Sequence, residues 1–198
     1  MEHYFISKEH KKEDYFFYSD SIGGKTYKFK SVDSVFSKDK IDDGTRVLLN
    51  AVLDNYQHLE GDVLDFGCGV GVIGVVLKTE YPSINIIMAD VNKTCVELSL
   101  ENIKNNNVSA EIIESNLYDN IDGQFDYIVT NPPIKVGKEI LFGVVSGGYE
   151  KMKKNGHMVL VIRKSHGMES MKKHMISVFG NCEILERDKG YYILKSVK

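Results

Sequence analysis

The chain has 198 residues, 42% of them hydrophobic and 27% charged, with a net charge of −3 at neutral pH. That suits one domain with an ordinary core, and three prolines without a low-complexity tract or repeat give no sign of disorder. No run of 18 apolar residues occurs and the start, Met1-Glu2-His3-Tyr4, is polar, so neither a membrane span nor a signal peptide is expected. The three cysteines, Cys68, Cys95 and Cys182, are scattered without a CxxC pair. That argues against a disulfide framework or a zinc site and for the reducing cytosol. His10, His157, His166 and His174 lack metal-ligand spacing as well, so no metal is expected.

Charge is unevenly spread. Residues 41–134 carry 15 acidic and 4 basic side chains, whereas residues 135–198 carry 6 and 13. Lys151, Lys153, Lys154, Arg163, Lys164, Lys172 and Lys173 fall within 23 residues that hold one acid, Glu169. One reading is a set of solvated faces. The other is an acidic middle that holds a ligand and a basic C-terminal part that meets a polyanion.

In chain order, Tyr15-Phe16-Phe17-Tyr18 and Tyr27-Lys28-Phe29-Lys30 are aromatic-rich strand candidates on either side of Gly23-Gly24, which predicts a β-hairpin. Asp42–Tyr56 places Val47, Leu48, Ala51 and Val52 on one face of a helix. From Asp62 onward strands and helices alternate. Strand 62–66 leads to helix 70–79, and strand 84–89 to a helix over about 93–106. Strand 110–114 leads to a loop, strand 125–130 to a helix over about 136–153, and strand 157–162 to a helix over about 167–179. Closing strands near 182–187 and 190–196 flank Asp188-Lys189-Gly190. The expected fold is α/β: a Rossmann-like, seven-stranded, mostly parallel sheet with an antiparallel closing strand and helices on both faces. Residues 1–40 form a hairpin extension and residues 41–198 the core of a single domain.

Two loops fall at the carboxyl ends of strands, where sheets of this kind bind ligands. The first, Asp65-Phe66-Gly67-Cys68-Gly69-Val70-Gly71, lets a ligand approach bare backbone. Gly69 through Gly74 also fits the GxGxxG of nicotinamide-dinucleotide enzymes, so spacing does not choose the cofactor. Its acidic surroundings favour S-adenosylmethionine, which carries a sulfonium and an ammonium but no pyrophosphate. Asp65 precedes the first glycine, and Asp90 ends the next strand, where a carboxylate can accept both ribose hydroxyls. Asn116 or Asp119, after the third strand, can address an adenine. Asp90 has the alternative role of capping the helix that begins near Asn92, and Cys68 reads as a space-filler rather than a nucleophile.

The second loop is Asn131-Pro132-Pro133-Ile134. It reads either as a stiff turn ending a strand or as a rigid acceptor pair. In the second reading the Asn131 side-chain oxygen and the Pro132 carbonyl take both N–H bonds of a ring-conjugated amine. The nitrogen becomes pyramidal, with its lone pair toward the methyl group. Transfer is then an in-line displacement driven by positioning and by hydrogen bonds that strengthen as positive charge develops. Ile134 would pack on the flat face of the acceptor.

With Tyr4-Phe5, Phe36-Ser37-Lys38-Asp39-Lys40-Ile41-Asp42-Asp43-Gly44-Thr45, Val63–Gly71 and Asn131–Lys138, nearly the whole chain resembles one family. These are the class I S-adenosylmethionine-dependent methyltransferases of the small-domain type, the group of the 16S ribosomal RNA guanine-N2 methyltransferase RsmC. The resemblance implies that Asp65, Gly67, Gly69 and Asp90 hold S-adenosylmethionine, with Asn116 near the adenine and Cys68, Gly71, Val91, Leu117 and Asn131 in the same site. It implies that Asn131, Pro132, Pro133 and Ile134 hold the target amine; Lys135 and Lys138, directly beside that loop, are the basic residues first expected to touch substrate. The segment from Phe36 to Thr45 would cover the cofactor and lead into the first helix.

The implied reaction is methylation of an exocyclic amine of a nucleobase, guanine N2 of 16S ribosomal RNA first. Adenine N6, a protein glutamine amide or a noncatalytic RNA-binding role are the alternatives. The implied partner is ribosomal RNA or the small ribosomal subunit. RsmC has two similar domains where this chain has one, so RNA would be found through its own surface or as a homodimer. Ile134 stands where many amine-methylating enzymes carry an aromatic residue. The hairpin aromatics would either stack bases or pack on the domain and cover the cofactor, and the basic segments would grip phosphate.

Overall fold

The computed structural model describes residues 14–33, 35, 40–133 and 136–198. The expectations placed on Tyr4-Phe5, on residues 36–39, on Ile134 and on Lys135 lie outside the described residues. The hairpin forms from β1 (Tyr15–Ile22) and β2 (Lys25–Val32). Gly23 and Gly24 close it at φ +58° and +80°, the left-handed backbone that a two-residue turn between twisted strands requires. Both strands are longer than their aromatic runs, because the alternation continues to Ile22 and Val32, which are buried.

The core then follows as α1 (Asp43–Asn55), β3 (Asp62–Phe66), α2 (Val72–Glu80), β4 (Asn85–Asp90), α3 (Lys93–Asn105) and β5 (Glu111–Glu114). It continues with β6 (Phe125–Thr130), α4 (Lys138–Glu150), β7 (Met152–Arg163), α5 (Met168–Phe179), β8 (Glu183–Asp188) and β9 (Tyr191–Val197). The sheet order is β5-β4-β3-β6-β7-β9-β8. Strands β3 to β7 pair in parallel, and β9 runs antiparallel to both β7 and β8.

Period-two patterning divides the core between the two faces. Val63, Val129, Val159 and Val161 pack with α1, α2, α3 and the hairpin. Their strand neighbours Leu64, Ile128, Met158, Leu160 and Ile162 pack with α4 and α5. Each such fully buried side chain contributes about 1.5–3 kcal/mol. Among the described residues no helix is long and apolar enough to cross a membrane, and no cluster of three acidic, His or Cys side chains could hold a metal ion.

The hairpin packs on the domain. Tyr18, Tyr27 and Phe29 are buried, and of the four aromatics at 15–18 Phe17 alone is exposed. The Asn102 side chain accepts from the Lys30 N–H at 2.6 Å and donates to the carbonyls of Lys30 at 3.0 Å and Val70 at 2.8 Å. One amide therefore ties the hairpin to the glycine loop from behind.

The helix expected over 136–153 stops at Glu150, and the strand expected from 157 begins at Met152. Met152, Lys153 and Lys154 continue a helical pattern locally, but pairing of Met152 with Phe125 captures the backbone for the sheet. Between that pair and Tyr127–His157 the register shifts, with Asn155 at φ +64° inside the irregular segment.

Candidate active site

The glycine loop is built from β3 outward. Asp65 is fully buried, and its Oδ2 accepts from the Gly74 N–H at 2.8 Å, which holds the first turn of α2 against the strand end. Its Oδ1 has no hydrogen-bond partner among the described residues. Burial pushes the Asp65 carboxyl up to about 8, with the Gly74 N–H opposing and the Asp90 charge adding. The Gly67 and Cys68 N–H groups donate to the Ala89 carbonyl at 2.8 and 2.9 Å, folding the loop over the end of β4.

Gly67 and Gly69 have φ of +71° and +55°, and a Cβ on either would enter open space, so both leave backbone bare on the ligand side. Gly71 differs. A Cβ there would lie 2.7 Å from Met88 Cε and 3.0 Å from Ser99 Oγ, so this glycine permits packing of α3 rather than access. Cys68 also turns inward, its Sγ 3.6 Å from Ser99 Oγ, and burial pushes its thiol up, which suits a space-filler.

A cleft opens beside the loop, lined by Gly67, Ala89, Asp90, Val91, Asn116, Leu117, Pro133 and, from the far wall, Val136, Ile140 and Val144. Of the residues expected to hold the cofactor, the structure brings Gly67, Asp90, Val91, Asn116 and Leu117 to this cleft. Asp65, Cys68 and Gly71 are behind it and shape the loop. Asp90 is nearly buried and accepts from the N–H groups of Gly69 and Asn92, each at 2.9 Å. Burial raises its carboxyl, and those N–H bonds oppose the rise. The cap of α3 is Asn92, whose side chain accepts from the Thr94 N–H at 2.9 Å. Asp90 therefore joins the loop to the helix entrance instead of capping it. Asn116 donates to Asp119 at 3.3 Å, so of the two adenine candidates Asn116 lines the cleft and Asp119 steadies it.

Thr130, at the end of β6, donates to the Phe66 carbonyl at 2.7 Å and so fixes the second loop against the first. Beyond it, the Asn131 Nδ2 donates to Thr45 Oγ1 at 2.9 Å and lies 3.3 and 3.5 Å from the two Asp42 carboxylate oxygens. A carboxylate only accepts, so the amide nitrogen must face Asp42, and Oδ1 is turned away from it. Pro132 is buried, Pro133 lines the cleft, and Lys138 is exposed at the start of α4. Asp42 and Thr45 fall in the segment expected from the resemblance to cover the cofactor, but neither lines the cleft; their contact with Asn131 carries no local sequence signal.

The basic residues divide between the two ends of the sheet. Lys153 sits between Asp62 at 2.7 Å and Asp126 at 2.8 Å, and Lys151 donates to the Ile121 carbonyl, all at the amino ends of the strands. That is a strand length, roughly 15–20 Å, from the signature loops. Arg163 and Lys164 instead end β7 on the loop side, where the Lys164 N–H donates to the Gly190 carbonyl at 2.9 Å. The Arg163 guanidinium lies over the Tyr191 ring, 4.6 Å from its centre. A larger opening of about 860 Å³ also lies at the amino ends, among Asp62, Lys78, Glu111 and Lys153. It is a gap of mixed polarity between strand starts and holds none of the signature residues.

Strand order, antiparallel β9 and ligand loops at the carboxyl edge are those of a class I methyltransferase. Residues 26–195 match the methyltransferase small domain, and the chain belongs to that family; its methyl donor is S-adenosylmethionine. The chain is 35% identical to the uncharacterized protein YbxB of Bacillus subtilis over 200 residues, covering 100% of this chain and 98% of that one. It is 30% identical to the ribosomal RNA small subunit methyltransferase C of Aliivibrio fischeri over 177 residues, covering 87% of this chain and 50% of the relative. The chain thus spans about half the length of that methyltransferase. The fold superimposes, with a TM-score of 0.85 and 23% identity, on the Thermus thermophilus 16S rRNA N2 G1207 methyltransferase (RsmC) in complex with AdoMet and guanosine. That match covers 93% of this chain and 50% of the other.

Proposed function

We propose that the chain methylates an exocyclic amine of a nucleobase, with guanine N2 of 16S ribosomal RNA as the first acceptor. The observation that carries this reading is the Asn131 amide, whose nitrogen is engaged by Asp42 and Thr45 while its oxygen is left to accept. A ring-conjugated amine needs two acceptors, and Asn131 Oδ1 with the Pro132 carbonyl supplies them on one rigid turn. The relatives named as small subunit ribosomal RNA methyltransferases support the acceptor class.

The cleft fits S-adenosylmethionine by its donor set. Asp90 would accept from the ribose hydroxyls, and Gly67 and Gly69 would let the methionine portion approach backbone. Asn116 would address the adenine edge, while Val91, Leu117 and Val136 would flank its ring. When bound, S-adenosylmethionine supplies a methyl group on a cationic sulfonium. Asn131 and Pro132 would orient the acceptor nitrogen and stabilise the charge that develops on it. The proton is lost afterwards to water, so no side chain is needed as a base. RNA would dock on the loop side, where Lys138, Arg163, Lys164 and Lys189 lie, with the target base unstacked to reach the cleft.

The test is transfer of labelled methyl to ribosomal subunits and free ribosomal RNA from cells lacking the gene, followed by nucleoside separation. Label in N2-methylguanosine is expected, and an Asn131→Ala variant should lose about 100- to 1000-fold in turnover with cofactor affinity retained. Label in N6-methyladenosine or in protein would keep the chemistry and change the acceptor. Unchanged turnover in Asn131→Ala would overturn the mechanism.

A further inference from the structure

We propose that Asp42, the N-cap of α1, and Thr45, in its first turn, are positioning residues for the transfer step, holding the Asn131 amide with its oxygen toward the acceptor. This rests on the reading of Asn131 given above. Asp42 precedes α1 as its N-cap, and its Oδ1 accepts from the N–H groups of Gly44 at 3.0 Å and Thr45 at 3.1 Å. The same oxygen lies 3.3 Å from Asn131 Nδ2, and buried Thr45 Oγ1 accepts from that nitrogen at 2.9 Å. The turn is itself held. A Cβ on Gly44 would lie 2.9 Å from Tyr191 Cε1, so α1 begins pressed against β9, a contact separate from the Asn131 loop.

An isolated asparagine amide can rotate by half a turn at little cost, which exchanges its oxygen for its nitrogen. Here rotation would set Oδ1 against the Asp42 carboxylate and break the bond to Thr45 Oγ1. It would also present an N–H donor to an amine that is itself a donor. The helix cap thus selects the one amide orientation that can accept from substrate.

Two variants separate these roles from folding. Thr45→Val removes the oxygen at constant shape, and Asp42→Ser keeps a capping oxygen on a side chain too short to reach Asn131. Each is expected to lower kcat by about 10- to 100-fold, the scale of a misplaced catalytic group. Dissociation constants for S-adenosylmethionine should stay within about twofold, since neither residue meets the cofactor cleft. Thr45→Ser should restore most of the rate. In an Asn131→Ala background neither substitution should lower kcat further, because both act through that amide.

Full kcat in Thr45→Val and Asp42→Ser, with Asn131→Ala inactive, would overturn the positioning role and leave the proposed function standing. Losses that add to that of Asn131→Ala would also overturn it. If Asn131→Ala itself turned over normally, the proposed function would fall first. If Asp42→Ser does not fold, Thr45→Val and its rescue by serine decide the matter.

Discussion

The two ends of the central sheet treat their carboxylates in opposite ways. At the amino end, Asp62 and Asp126 share the Lys153 ammonium, and that hydrogen bond holds the Asp62 carboxyl below its ordinary value. At the carboxyl end, the hydrogen-bond partners of Asp65 and Asp90 among the described residues are backbone N–H groups, from Gly74 to Asp65 and from Gly69, Val91 and Asn92 to Asp90. Those dipoles fix the loop without forming an ion pair, and burial raises both carboxyls, that of Asp65 to about 8, so Asp65 keeps its proton at neutral pH. One end is electrostatically complete within the chain. The other brings no cation to its carboxyls among the described residues, so burial keeps them hard to ionise until a cationic ligand such as a sulfonium or an ammonium arrives.

The sharpest way to break this contrast is through pH. The Asp65 carboxyl rises from 3.8 to about 8 on folding. Between those values the folded chain holds a proton that the unfolded chain has released, so stability falls as pH rises through the window and levels off above it. The slope approaches about 1.4 kcal/mol per pH unit. Urea titrations of the ligand-free protein from about pH 5 to 8 should show this decline, and Asp65→Asn should flatten it. Parallel curves for the two proteins would mean that Asp65 is charged in the fold and the contrast is false.

A smaller effect is expected at Asp90. Asp90→Ala should weaken S-adenosylmethionine binding by more than about 1 kcal/mol in calorimetry, because the ribose would have no carboxylate to donate to. Unchanged affinity would confine Asp90 to tying Gly69 to Asn92. The smallest effect compares the basic groups. Neutralising Arg163 and Lys164 should reduce the salt dependence of RNA binding by about one unit of slope for each phosphate no longer neutralised. Neutralising Lys151, Lys153 and Lys154 should leave the slope unchanged and lower the melting temperature, since Asp62 and Asp126 would then face each other unpaired. The reverse pattern would place RNA on the amino end.

Much of this was legible in the chain. The glycine loop, Asp90 at the end of β4 and the Asn-Pro-Pro turn sit where strand-then-helix alternation puts them. Gly71 and Cys68 were less so: they share the loop with Gly67 and Gly69, and only the packing of Met88 and Ser99 shows that they face inward. The basic run was misleading as a unit. Lys151, Lys153, Lys154, Arg163 and Lys164 are neighbours in sequence, but the twelve residues of β7 carry Lys153 and Arg163 to opposite ends of the parallel strands.

What the sequence determined by itself is what short-range physics governs. Period-two and helical apolar patterns specify the elements, and glycines supply left-handed turns at Gly23-Gly24 and in the glycine loop after β3. Tertiary structure alone decided which polar groups meet. Asn131 finds Asp42 across 89 positions and Thr45 across 86, because α1 packs beside β7 and β9 and delivers its first turn to the end of β6. Dihedral preference and periodicity act over a few residues. Hydrogen-bond partners at such separations are chosen by how buried surfaces fit.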